Sequence, residues 1–192
     1  MWNLEGRKLN SWCISFVVQD LVVSKAGDRL IVLGCDKKMR IYDLLQGSND
    51  VGIIECETGV STITLSKDGT KLLASTQSRQ IHLWELNADL RGPQPTQPKK
   101  RYRLPELATE GQKYMIRTCF GGYNEAFVLS GSEECKVYVW HKRSEKLVAA
   151  LEGHSGLVNS VSWNPKDPSM FASASDDKSV QIWMTKAGRT SQ

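Results

Sequence analysis

Three side chains in the last quarter of this 192-residue sequence are of the types that build a hydrolytic nucleophile. Ser173 could attack, His154 could take its proton and Asp177 could orient the imidazole, which together would perform acyl transfer. The surroundings argue against that chemistry. Ser173 sits in MFASAS, an alternation of apolar and small residues, and no G-x-S-x-G elbow or oxyanion-hole motif accompanies it. The other histidines, His82 in QIHLWEL and His141 in VYVWHK, fall in strand-like runs without partners at metal-ligand spacing. Five cysteines, at 13, 35, 56, 119 and 135, form no Cys-x-x-Cys pair and read as reduced, mostly buried thiols. Phosphate-binding loops, dinucleotide fingerprints and paired carboxylates are missing as well. The expectation is a chain that is not an enzyme, with no cofactor and no metal.

The element that must position His154, Ser173 and Asp177 is the stretch from Gly153 to Trp183. It holds three runs, LVNSVSW, MFASAS and SVQIW, separated by NPKDP and DDK. Pro165 and Pro168 cannot donate to a β-ladder, so they punctuate it. Val, Ile, Phe and Trp alternating with small polar residues suit strands buried on at least one face. The closing Trp183 recurs upstream at Trp140 in KVYVWHK, Trp84 in QIHLWEL and, as Tyr42, in MRIYDL. The intervals are 43, 56 and 42 residues, and the long one contains the proline-rich NADLRGPQPTQPKK. A repeated unit of about 40–45 residues is therefore expected along the chain. The divisions are 1–15, a remnant of a preceding unit; 16–50, first repeat; 51–86, second; 87–100, insertion; 101–142, third; 143–184, fourth; and 185–192, a polar tail expected to be disordered. Lys67-Asp68-Gly69 is a strong hairpin signal within the second repeat.

Bulk properties agree with a soluble globular chain: 40% hydrophobic, 24% charged and a formal net charge of +4. That charge is too mild to imply nucleic acid. No apolar run approaches the ~18 residues of a membrane span. MWNLEGRKLN lacks the apolar core of a signal peptide. Cytoplasm, nucleus or both is the expected location.

A Gly-His start and a Trp end at this spacing resemble one repeat of a WD40 β-propeller, in which four-stranded blades surround a channel. The resemblance implies an all-β, partial (open) WD40 propeller of about four blades plus a remnant strand. The outer strand of each blade comes from the next repeat, so the fourth blade has no obvious fourth strand. It also implies a structural hydrogen-bonded set of His154, Ser173, Asp177 and Trp183. The other repeats depart from that set. The third has Ser130 and Trp140 with Glu134 and Gln112 in the Asp and His places. The second has Ser75 and Trp84 with Ser78 in the Asp place, and the first keeps Asp36 but has Tyr42.

Propellers bind partners across the rim of one face, at the start of each innermost strand and beside the Asp turn. On the fourth repeat this points to Leu157, Asn159 and Asp176, and on the third to Met115, Arg117 and Glu133. Ser61 and Gln19 stand in the place of Asn159 in the second and first repeats. Arg117 and Met115 are the sharpest candidates, because Arg is enriched at hot spots and Met adapts to peptides. CFGGY followed by SGSEECKVYVWHKRS, with MWNLEGRKLNSW and VNSVSWNPKDPSMFASASDD, is more specific. These stretches resemble the WD40 subunits of CTLH (GID) E3 ubiquitin ligases, with a plant-like cast. The family implies a non-catalytic scaffold whose partners are ligase scaffold subunits and degradation substrates. Two alternatives stand beside it: a truncated half-propeller without independent activity, and a generic WD40 adaptor in transcription or RNA processing using the basic 99–103 cluster. Open blade edges are expected to invite self-association.

Overall fold

Alternation over four to six residues, broken by Gly, Pro and Asp-rich turns, gives fifteen short strands among the described residues. The computed structural model describes residues 3–8, 11, 14–45, 50–87, 93–105 and 114–185. Residues 1 and 2 of the expected remnant, the Gln112 position and nearly all of the expected tail lie outside them, and Asn3 and Leu4 lead into a turn rather than a strand.

The first sheet contains β1 (Val18–Val23), β2 (Arg29–Gly34), β3 (Lys38–Asp43) and β4 (Asp50–Glu55), in that order. The second contains β5 (Val60–Leu65), β6 (Lys71–Thr76), β7 (Gln80–Glu85) and β8 (Lys100–Arg103). The third contains β9 (Thr118–Gly121), β10 (Phe127–Ser130), β11 (Lys136–His141) and β12 (Leu147–Glu152). The fourth has three strands among the described residues: β13 (Val158–Trp163), β14 (Met170–Ser175) and β15 (Val180–Met184). All pairings are antiparallel between neighbours in sequence, so each sheet is a meander. Strand β8 is the element the sequence hid. KRYR has one apolar-bodied residue, Tyr102, yet that ring is fully buried and its hydroxyl donates to the Lys142 carbonyl at 2.8 Å. Lys100 and Arg101 meanwhile pair with Glu145 and Glu57 on the surface.

The four sheets pack face to face in series as an open, partial propeller. Ile31, Leu33, Met39, Ile41 and Ile54 of the first face Ile63, Leu72, Ala74 and Trp84 of the second. Leu73, Ile81, Leu83 and Tyr102 of the second face Phe120, Val128 and Trp140 of the third. Leu129, Val137 and Val139 of the third face Val158, Val161 and Phe171 of the fourth. Strand period 2 explains how one strand serves two junctions: Leu72 points back and Leu73 points forward. Each fully buried side chain of this kind contributes about 1.5–3 kcal/mol.

Two glycines are required by geometry. Gly69 takes φ +71°, as the Lys-Asp-Gly hairpin needs. Gly131 lies against the next sheet, where a Cβ would meet the Val158 carbonyl oxygen at 2.0 Å.

Candidate protein-binding rim

The turn between the second and third strands recurs in all four sheets, with a non-glycine residue at φ 61° (Lys37), 60° (Arg79), 60° (Cys135) and 69° (Lys178). It carries the position that is Asp36, Ser78, Glu134 and Asp177 in the four repeats. In the fourth sheet, Asp177 Oδ2 lies 2.8 Å from His154 Nδ1, and His154 Nε2 lies 2.7 Å from Ser173 Oγ. Trp183 Nε1–H donates to the same Ser173 oxygen at 2.8 Å. The imidazole with its proton on Nδ1 satisfies every member: Trp183 donates to Ser173, Ser173 to His154, and His154 to Asp177. The Asp177 carboxylate also accepts from the Ser179 hydroxyl and from the Ser155 and Ser179 amides. The Ser179 hydroxyl, with His154 and these amides, holds its pKa well below the usual carboxylate range against the opposing effect of burial. Ser173 is 2% exposed, and its oxygen already receives the indole N–H. That arrangement ties a loop to a sheet, with both the indole and the imidazole engaged on the one Ser173 oxygen.

Register shows how the other sheets differ. Trp183 pairs with Phe171, and Ser173 lies two residues on, opposite Gln181. Trp140 pairs with Val128, which puts Ser130 in the equivalent place. Trp84 pairs with Leu72, so the equivalent residue in the second sheet is Ala74, not Ser75 as the sequence suggested. The physical consequence is two orphans: Trp84 Nε1 and Ser75 Oγ are both buried without a partner. A one-residue step along a strand turns a side chain to the opposite face, so Ser75 cannot reach Trp84. The third sheet uses its Glu134 differently. Its carboxylate accepts from the Tyr138 hydroxyl and pairs with Arg79 of the second sheet, a clamp across the junction. In the first sheet Asp36 pairs with Arg40 at 2.5 Å, and the Arg40 guanidinium stacks 3.9 Å from the Phe16 ring centroid. The Arg40 hydrogen bonds keep Asp36 below its ordinary pKa.

The residues expected at the rim fall into two groups. Met115 is 51% exposed and the Arg117 side chain 56% exposed, beside Glu133, whose carboxylate accepts from the Tyr114 amide at 3.2 Å. Asn159 Nδ2 donates to Asp176 Oδ1 at 2.8 Å, and the Asp176 amide bonds the Leu157 carbonyl at 2.9 Å. The Arg117 amide bonds the Asn159 carbonyl at 3.0 Å, joining these two groups into one surface across the third and fourth sheets. Gln19 is half-buried on β1. Ser61 is a correction: it is 5% exposed and its hydroxyl donates to the Ser75 carbonyl, so it presents nothing at the rim. Two rim residues escaped the sequence reading. Tyr114 is 57% exposed beside Met115. Asp20 accepts from the Ile63 amide at 3.0 Å and lies 4.0 Å from the Arg117 guanidinium, bridging the first three sheets. An acid inside the apolar run VVQDLVV was the available signal.

Three of the four cations of the basic run are ion-paired, and Arg103 stands exposed. Lys99 pairs with Glu85, Lys100 with Glu145 and Arg101 with Glu57. Among the described residues no group of three or more His, Cys, Asp and Glu could hold a metal ion. None of their helices is long and apolar enough to cross a membrane.

Comparison with known proteins agrees with this architecture. The family described as "WD domain, G-beta repeat" matches residues 145–184. A "WD repeat-containing protein WDS homolog" from Arabidopsis thaliana is 36% identical over 95% of this chain and 33% of its own length. "GID complex subunit 7" from Schizosaccharomyces pombe is 34% identical over 96% of this chain and 35% of its own length. The chain thus spans about a third of the length of these curated relatives. Among solved structures, the β-propeller domain of Myceliophteria thermophila Cps50 (Swd1) superposes with a TM-score of 0.71. That match has 18% identity and covers 88% of this chain and 54% of the other.

Proposed function

We propose that this chain, which belongs to the WD40 repeat family, is a non-catalytic protein-interaction scaffold of a CTLH-type E3 ubiquitin ligase, acting in ubiquitin-dependent degradation. Its partners on this reading are the ligase's scaffold subunits and its substrates, in the cytoplasm, the nucleus or both. The repeats at 16–50, 51–86, 101–142 and 143–184 hold the rim, each after the first lending its opening strand to the sheet before it, with the His154–Ser173–Asp177–Trp183 set as a structural brace. The observation that carries the reading is the joined surface of Met115, Arg117 and Glu133 with Leu157, Asn159 and Asp176. It sets an exposed thioether and guanidinium beside polar groups fixed by backbone bonds, a composition suited to a peptide hot spot. Similarity to a protein named for the GID complex supports the choice of ligase class. The ion pairing of Lys99, Lys100 and Arg101 weighs against the nucleic-acid adaptor alternative.

Co-purification with CTLH scaffold subunits tests the ligase assignment, and no recovery from a folded sample would refute it. Arg117→Ala with Asp176→Ala tests the rim. Retained binding by a folded double variant would place the partner surface elsewhere.

A further inference from the structure

A cleft opens at the end of the sheets opposite the rim. Arg117 stands just before β9 and Asn159 in the first step of β13, whereas Gly121 and Trp163 close those strands. The turns that follow them, one from the third sheet and one from the fourth, bound a cleft of about 280 Å³. It sits at an internal junction, with a described sheet on either side. Phe120, Gly121 and Trp163 form its floor, with Tyr123 on one wall and Pro165 and Pro168 on the other. The floor is fixed by packing. The Trp163 ring stacks on Phe127 and Phe171, with centroids 6.1 and 5.1 Å away, and lies on Gly121, where a Cβ would meet it at 1.9 Å. Tyr123 by contrast is 76% exposed. Small-molecule sites run to about 300–1,000 Å³, so this volume suits one large side chain and the backbone carrying it.

The charge around the cleft leans to one sign. The turns 24–29, 66–71, 121–126 and 164–169, together with Lys142, carry six cations and four carboxylates. The carboxylates are engaged within the turns or between them. Glu125 accepts from the Lys67 amide at 2.9 Å, and Asp167 from the Ser169 amide at 2.8 Å. Asp68 accepts from the Ser66 hydroxyl and the Thr70 amide. The ammonium groups of Lys67 and Lys166 are exposed and have no ion pair among the described residues. Lys142 Nζ lies 5.6 Å from the Phe120 ring centroid and donates to the Asn124 carbonyl at 3.4 Å, again without a carboxylate partner. An adjoining cleft between the first and second sheets shares Lys67 and adds Lys25.

We propose that this cleft binds a protein partner through a short acidic segment that carries one aromatic side chain. The ring seats between Tyr123 and the Trp163 floor, and the flanking carboxylates pair with Lys67 and Lys166. A rigid floor lowers the ordering cost of seating that ring. Single-stranded nucleic acid fits less well, because it needs successive stacking platforms along a basic track. Here one exposed ring stands between turns that also hold Glu125 and Asp167. The site is separate from the rim and stands without the ligase assignment.

Fluorescence polarisation on the full 192-residue chain tests this with a fluorescein-labelled acidic heptapeptide built around a central phenylalanine. Saturable binding is expected, weakened about tenfold or more when alanine replaces that phenylalanine, and lost when lysines replace the acids. Raising the salt from about 0.05 to 0.5 M should weaken it as well. Tyr123→Ala, Lys67→Glu and Lys166→Glu alter exposed side chains on both walls. Each should weaken binding about tenfold with an unchanged far-ultraviolet spectrum. Lys178→Glu makes the same charge change at the other end of the fourth sheet and should leave binding unaltered. With benzoylphenylalanine in place of the phenylalanine, photocrosslinks should map to residues 120–125 or 163–168. The proposal is overturned if the folded chain shows no saturable binding, or prefers a labelled oligouridylate to the acidic peptide. It is overturned equally by binding that survives Tyr123→Ala and both lysine reversals, or by crosslinks confined to the rim. None of these failures bears on the pairing of Arg117 and Asp176 with a partner at the rim.

Discussion

Ser75 and Ser173 are both 2% exposed and both occur in apolar-small runs, LLAST and FASAS, one strand before a tryptophan. The structure gives their replacement by alanine opposite signs. Ser173 Oγ accepts from Trp183 Nε1 and pairs with His154 Nε2, so Ser173→Ala leaves two polar atoms without partners. Each buried orphan costs about 1–3 kcal/mol, and the half-buried Trp183 can recover part of its share from water. A net loss of about 2–3 kcal/mol follows. Ser75 Oγ has no partner to lose, and burying an unpaired hydroxyl costs about 1–3 kcal/mol, so Ser75→Ala should stabilise by about 1 kcal/mol. For a chain of this size, 1 kcal/mol moves Tm by about 2–4 °C. Ser75→Ala should therefore melt a few degrees higher, and Ser173→Ala lower by roughly twice to three times as much. Urea unfolding followed by tryptophan fluorescence, at one fixed protein concentration and with unchanged m, measures both. If Ser75→Ala destabilises the chain as Ser173→Ala does, Ser75 carries a hydrogen bond and the register reasoning is wrong.

Three further outcomes follow from other sites. Glu134→Gln removes the carboxylate that holds Arg79 and the Tyr138 hydroxyl across the second and third sheets, at side chains 14% and 15% exposed. Losing the charged half of that part-buried pair should cost about 2–3 kcal/mol in the same urea assay, below the about 3–5 kcal/mol of a fully buried pair. Burial pushes the Cys56 thiol up to about 11 and the Cys119 thiol to about 12, whereas Cys35 is exposed. At pH 7 a thiolate-selective alkylating agent should label Cys35 first and reach Cys56 and Cys119 only after denaturant is added, as peptide mapping would show. Asp177 is held low by Ser179 and His154; Asp68, despite burial, is brought to about 2 by the Ser66 hydroxyl and the Thr70 amide. A carboxylate with a folded pKa below its unfolded value stabilises the chain above about pH 4 and loses that contribution as pH falls through the folded value. Between about pH 4 and 2, Asp68→Asn and Asp177→Asn should each flatten the fall of Tm; an unchanged slope would contradict these hydrogen bonds.

The sequence alone determined the repeat, because strand period and turn chemistry are local. Alternation in LLASTQSRQIHLWEL and the Pro and Asp-Gly punctuation mark strands without reference to anything distant. The spacing of Trp84, Trp140 and Trp183 counts the units. His154, Ser173, Asp177 and Trp183 were legible as a set, since one repeat carries all four at a recognisable spacing. Tertiary structure decided the rest. Whether Ser75 or Ala74 stands beneath Trp84 depends on which pair of residues faces across two strands, and a step of one residue leaves the composition of LLAST unchanged. KRYR became a strand because the second sheet and Lys142 supply partners that its own three cations do not advertise. Arg79 and Glu134 are 55 residues apart in sequence, and only the stacking of two sheets brings them together. The exposure of Leu21 and Ile182 is likewise invisible in the chain, where they read as core residues like Ile63 and Leu83. Burial is a property of what lies opposite, and the sequence of one face does not state whether its partner is present.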